Sequence, residues 1–146
     1  MSTVEMVVGL KIPDGTALSA KQALREMGFA ELGGLARYAY YSFDIEGDAG
    51  QFREKISDAD ILVNANKHTV SFEVPTEGIN VLVQDKEKPI GLMNTLRERL
   101  GMKEIRGMDA GTLWVLSIEG NARKESARKM AEELLANVHY QRYMVM

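Results

Sequence analysis

Apolar positions along the chain switch between strand-like alternation and helical spacing, and the switches mark the elements. Val4-Glu5-Met6-Val7-Val8-Gly9-Leu10 is a β-rich run, followed by a Pro13-Asp14-Gly15 turn and a helix cap at Thr16. Ala17, Ala20, Leu24 and Met27 form one stripe of a helix that Gly28 ends. Tyr38 to Ile45, dense in aromatic residues, predicts a strand. Gly47-Asp48-Ala49-Gly50 then turns the chain into a second helix with Phe52, Ile56, Ala59 and Val63 on one face. Thr69–Val74 alternates and closes the series as a strand. The order then recurs. Ile79–Val83 is a strand, Pro89 begins a helix that buries Met93, Leu96 and Leu100 up to Gly101, and Thr112–Ile118 is the central strand. A second helix buries Ala127, Met130 and Leu134 before a last strand, Tyr140–Val145.

The recurrence has a register. Displacing the chain by 73 positions lays residues 6–73 on residues 79–146 without a gap. The identical pairs are Val8/Val81, Gly28/Gly101, Glu31/Glu104, Gly34/Gly107, Ile45/Ile118, Glu46/Glu119, Gly47/Gly120, Ala49/Ala122, Leu62/Leu135 and Asn64/Asn137. Glycines recur where a turn needs positive φ, and apolar residues recur where a core needs them. One detail does not transfer: Phe52 and Ile56 lie over Glu125 and Lys129, so the second helices rotate differently or the alignment slips there by about two residues. The expected fold is α+β, with unit one at residues 1–74, a linker at 75–78 and unit two at 79–146. These two tandem β-α-β-α-β units are expected to pack as a pseudo-twofold intramolecular dimer with antiparallel-containing sheets. A unit of about seventy residues has little core of its own, so the units are expected to bury sheet faces against each other.

Composition narrows the function. The 146 residues are 45% hydrophobic and 27% charged with net charge −3, which gives no electrostatic basis for binding nucleic acid. There is no basic amphipathic segment, and no apolar run approaches the roughly 18 residues of a membrane span. The opening Met1-Ser2-Thr3-Val4-Glu5 lacks a charged-then-apolar signal. Cysteine is absent, which removes disulfides, thiolate nucleophiles and cysteine zinc sites and fits a cytoplasmic location.

Candidate chemistry is sparse. Asp44, Glu46 and Asp48 alternate along a strand end in a pattern that could hold Mg²⁺ or Ca²⁺, but a solvated edge and turn is the favoured reading, since acidic residues favour such ends. The matching places in unit two are Ser117, Glu119 and Asn121, so two of the three charges are lost. His68 and His139 do not align and have no ligand set at metal spacing, which makes them surface or strand-edge residues. No nucleophile elbow, phosphate loop or dinucleotide fingerprint occurs; Gly33-Gly34 is a turn. Arg37-Tyr38-Ala39-Tyr40-Tyr41 has the aromatic content to stack bases, yet the acidic balance favours packing. Arg123 to Glu133 is the wet face of a helix. The expectation is no catalytic residue, no metal and no cofactor.

A family resemblance adds content. Leu10-Lys11, Asp14-Gly15, Ala23-Leu24 and Met27-Gly28-Phe29 resemble the opening of the PurS family, the small subunits of phosphoribosylformylglycinamidine synthase. Glu132-Glu133-Leu134-Leu135-Ala136-Asn137, followed by Tyr140 and Tyr143, resembles that family's closing segment, and Ile61-Leu62-Val63-Asn64 is a diverged version. The family's turn after the first strand is shortened to Lys11-Ile12-Pro13-Asp14-Gly15, and Val138 stands where a Pro follows the closing motif. The resemblance implies a non-catalytic subunit bridging an ATP-using synthase and a glutaminase in purine biosynthesis. It implies a component of a ligase that converts formylglycinamide ribonucleotide, glutamine and ATP to the amidine. Glu46, Gly47 and Asn64, with Glu119, Gly120 and Asn137, are its candidate motif or partner-binding residues. The chain would act as a monomeric pseudo-dimer or as a homodimer. A stand-alone α+β ligand-binding or regulatory module is the alternative.

Overall fold

The computed structural model describes Met1 to Met146. Its elements are β1 (Ser2–Leu10), α1 (Gly15–Glu26), β2 (Leu32–Ile45), α2 (Ala49–Ser57), β3 (His68–Ser71), β4 (Ile79–Asp85), α3 (Ile90–Glu98), β5 (Ile105–Ile118), α4 (Arg123–Met130) and β6 (Gln141–Val145). A π-helical turn, Ala131–Leu135, prolongs α4. The class is α+β, and the β-α-β-α-β order occurs twice. The strands form one six-stranded antiparallel sheet in the order β3-β1-β2-β5-β4-β6. That corrects the expected face-to-face packing of two sheets, because the strands of the two sequence repeats join edge to edge.

Several boundaries move for physical reasons. β2 begins at Leu32 and β5 at Ile105, earlier than the expected Tyr38 and Thr112. Glycines disguise these strand halves but give room to a side chain across the pair. A Cβ on Gly34 would lie 3.2 Å from Ser117 Oγ, and one on Gly107 would lie 3.1 Å from Asp44 Oδ2. β3 stops at Ser71 because the Glu73 N–H donates to Ser71 Oγ and bends the chain. Asp14, not Thr16, caps α1. Met27 and Leu100 follow the last helical residues and are exposed. Leu134 is also exposed, since the π-helical turn shifts the helical phase and buries Leu135 in its place.

The chain divides into two compact units, each drawing on both sequence repeats. The first comprises Met1–Lys11, Ala39–Val74 and Glu87–Ala110. Its core joins Val4, Met6 and Val8 of β1 and Phe43 and Ile45 of β2 to Phe52 and Ile56 of α2 and Leu96 of α3. Phe43 meets Phe52 edge-on with ring centroids 5.2 Å apart. Burying a side chain of this size from water contributes roughly 1.5–3 kcal/mol. Although α2 ends at Ser57, Ala59, Leu62 and Val63 stay in this core from the turns that follow.

The second unit comprises Ile12–Tyr38, Pro75–Lys86 and Gly111–Met146. Here Ala17 and Leu24 of α1 pack with Val81 and Val83 of β4, Trp114 and Leu116 of β5, and Ala127 and Met130 of α4. The buried face of α4 begins at Ala127, whereas that of α2 begins at Phe52. α2 and α4 begin 74 residues apart and the buried Ile56 and Met130 keep that spacing, whereas Leu62 and Leu135 are 73 apart, so the register of the two series slips by one residue along this segment.

Candidate functional site

The residues singled out as motif positions fall into matched pairs with matched jobs. Asn64 and Asn137 build the same turn. The Asn64 N–H donates to His68 Nδ1, its Oδ1 accepts from the Asn66 N–H, and its carbonyl accepts from Lys67 and His68. The Asn137 N–H donates to Gln141 Oε1, its Oδ1 accepts from the His139 N–H, and its carbonyl accepts from Tyr140 and Gln141. Each asparagine thereby launches an edge strand, β3 or β6, with its side chain occupied by the turn. Gly47 and Gly120 have φ of 108° and 103°. With Gly28 and Gly101 they are the chain's positive-φ residues, where other side chains would strain the backbone. The Glu46 N–H donates to the Glu104 carbonyl at 2.9 Å, and the Glu119 N–H donates to the Glu31 carbonyl at 3.0 Å. Only the carboxylates differ. Glu46 Oε2 takes an Arg106 N–H at 3.0 Å on the open surface, and Glu119 lines a groove.

The candidate metal carboxylates serve separate partners. Asp48 caps α2 through the Gly50 and Gln51 N–H groups, Asp44 accepts from Thr3 Oγ1, and Glu46 pairs with Arg106. Nowhere do three or more His, Asp or Glu side chains gather as a ligand set. His68 is held by the Asn64 turn, and His139 is exposed. In the aromatic run, Tyr41 stacks on Phe43, while the buried Tyr40 hydroxyl donates to Glu5 Oε2 at 2.5 Å. Burial, and then the Glu5 bond, push the Tyr40 phenol far above its ordinary range, so it stays a donor.

Charge is organised most tightly at the start of α1. Asp14 Oδ1 accepts from the Thr16 and Ala17 N–H groups, and Arg37 adds bonds of 2.9 and 3.2 Å. Burial alone would raise this carboxyl, but the Arg37 bond and the two N–H groups outweigh it and hold its pKa below the ordinary value. Glu104 is balanced likewise, with burial outweighed by the Lys55 bond at 2.7 Å.

Each unit contains a concavity. In the second unit, a groove of about 580 Å³ is lined by Gly33, Thr76, Glu77, Gly78, Ile79, Ser117, Glu119 and Arg123, among others. In the first, a smaller one of about 230 Å³ sets Asp44, Lys88 and Asp109 beside Ile90, Met93 and Met108. Lys88 Nζ is 2.6 Å from Asp109 Oδ1. Neither lining contains a histidine or a cysteine to act as base or nucleophile near pH 7.

No protein-family model matches the chain, and no curated protein matches it in sequence. No helix is long and apolar enough to cross a membrane. Sequence reading passed over the Asp14–Arg37 pair because its members are 23 positions apart, with no periodic relation to link them. Their cue was Asp14 itself, which stands where a helix cap belongs.

Proposed function

We propose that the chain is a non-catalytic assembly subunit of a PurS-like kind, in which two protomer-sized repeats are fused to replace a bridging dimer. The observation that carries this reading is the equivalence of the halves. Matched glycines both take positive φ, matched asparagines build the same turn, and reciprocal bonds join Glu46 to Glu104 and Glu119 to Glu31. The sheet order is unchanged when repeats are exchanged, since β3, β1 and β2 mirror β6, β4 and β5. Those are the relations two copies have about a twofold axis. The identities preserved between repeats thus serve the fold in both halves, as suits a scaffold whose contacts lie elsewhere.

In this reading the partners are the synthase and glutaminase subunits of phosphoribosylformylglycinamidine synthase, and the chain supplies no reacting group. The test is reconstitution. Synthase and glutaminase should co-purify with the chain, and glutamine-dependent amidation of formylglycinamide ribonucleotide should collapse when it is withheld. Full activity without the chain would end the proposal. A stand-alone ligand-binding module draws support from the groove of about 580 Å³, a volume within the usual range for ligand sites. A thermal-shift screen of nucleotides and amino acids, in which a true ligand raises Tm by mass action, separates the two readings.

A further inference from the structure

We infer that β6 is a self-pairing edge, on which a second copy of this chain lays its own β6 antiparallel and so continues the sheet. β3 and β6 are the two edges of the sheet, and they occupy matched places in the repeats. The β3 edge is four residues long, and Lys67, Ser71 and Glu73 stand along and beside it. A short edge carrying charge resists adding a strand. At the matched places around β6 the chain has Tyr140, Met144 and Met146, exposed by 72%, 52% and 43%. Charge flanks the β3 edge at Lys67 and Glu73, whereas the matched places around β6 are apolar and its one charge, Arg142, lies inside the strand.

The backbone of β6 selects the occupant. The Lys86 N–H donates to the Tyr140 carbonyl, and the Met146 N–H donates to the Asn80 carbonyl. In the β4–β6 register, Met144 stands opposite Leu82 and Val145 opposite Val81. Even-numbered residues of β6 therefore turn their main-chain groups toward β4, and Tyr143 and Val145 turn theirs outward. A second copy related by a twofold axis at Met144 sets Tyr143 against the partner's Val145, each donating an N–H and accepting at a carbonyl. Met144 then meets the partner's Met144, apolar on apolar. Arg142, the only charge within the strand, falls against the partner's Met146 and not against another arginine. The strand is thus complementary to itself in hydrogen bonding, apolar contact and charge, as an isologous pair requires. This inference rests on the sheet edge alone and holds whether or not the chain bridges other subunits.

Sedimentation equilibrium over a concentration series tests it. The expected species has twice the 16.3 kDa chain mass. Met144→Lys sets two like charges face to face, and Val145→Pro removes an outward N–H; each should return the single-chain mass with an unchanged circular dichroism spectrum. Mixing Met144→Lys with Met144→Glu should restore a pair. A wild-type chain that stays single at every concentration, a pair that survives both substitutions, or a charge-swapped mixture that fails to associate would each overturn the inference.

Discussion

Replacing Asp14 separates two jobs that one carboxylate does for α1. As the N-cap it satisfies the Thr16 and Ala17 N–H groups, and it also receives Arg37 through two bonds. Removing a cap costs about 1 kcal/mol. A charge-assisted bond is worth about 1.5–3 kcal/mol when sheltered. The Arg37 and Asp14 side chains are 34% and 15% exposed, so solvent screening lowers the pair to about 1 kcal/mol. Asp14→Ala should therefore cost about 2 kcal/mol, or about 5 °C in Tm for a chain of this size. Asp14→Asn keeps an equally good cap and should cost about half as much. Combined with Arg37→Ala, Asp14→Ala should show a coupling of about 1 kcal/mol in a double-mutant cycle.

Acid adds a second readout with a definite sign. The folded pKa of Asp14 is depressed below its ordinary 3.8, so its contribution is complete above that value and is lost as pH falls through the lower folded pKa. Asp14→Asn should flatten the stability profile below about pH 4 and leave its slope at neutral pH unchanged. Urea unfolding followed by Trp114 fluorescence suits the measurement, because the chain's one tryptophan lies in the core that α1 covers. If Asn were as damaging as Ala, or the coupling were absent, the division into cap and ion pair would be wrong.

Other substitutions test the matched turns and the glycines. His68→Ala should cost about 0.5–1.5 kcal/mol by denaturant unfolding, whereas His68→Gln should be nearly neutral because Gln141 accepts the same bond in the other repeat. Gly28→Ala meets open space at φ of +108° and should cost only the backbone strain, about 1–2 kcal/mol. Gly111→Ala should cost more by the same assay, since its Cβ would lie 2.5 Å from the Val83 carbonyl oxygen. Glu46→Gln, which loosens an exposed pair with Arg106, should shift stability by no more than about 0.5 kcal/mol.

The turns were readable because their chemistry is local. Gly28, Gly47, Gly101 and Gly120 announce positive φ by composition alone, and Asn64 and Asn137 close their turns within four residues. The early halves of β2 and β5 were not readable, because Gly33, Gly34 and Gly107 carry no strand propensity. Their place in the sheet depends on strand partners distant in the chain. Motif status also read differently in three dimensions: the shared Glu, Gly and Asn positions proved to be the joints of the fold. The self-pairing surface inferred above involves a place where the repeats differ, at Tyr140, Met144 and Met146.

By itself the sequence determined the order of the elements, two successive β-α-β-α-β series, and the glycines at which several of the turns fall. Alternation, helical spacing and glycine positions settle those matters over a few residues. Only the tertiary structure decided which helix covers which part of the sheet. α1, from the first repeat, buries Leu24 with Val81, Trp114 and Met130 of the second; α3, from the second, buries Leu96 with Phe43, Phe52 and Ile56 of the first. An amphipathic stripe specifies only that a face must leave water. Hydrophobic burial has no direction of its own, so the choice of partner falls to chain connectivity and close packing.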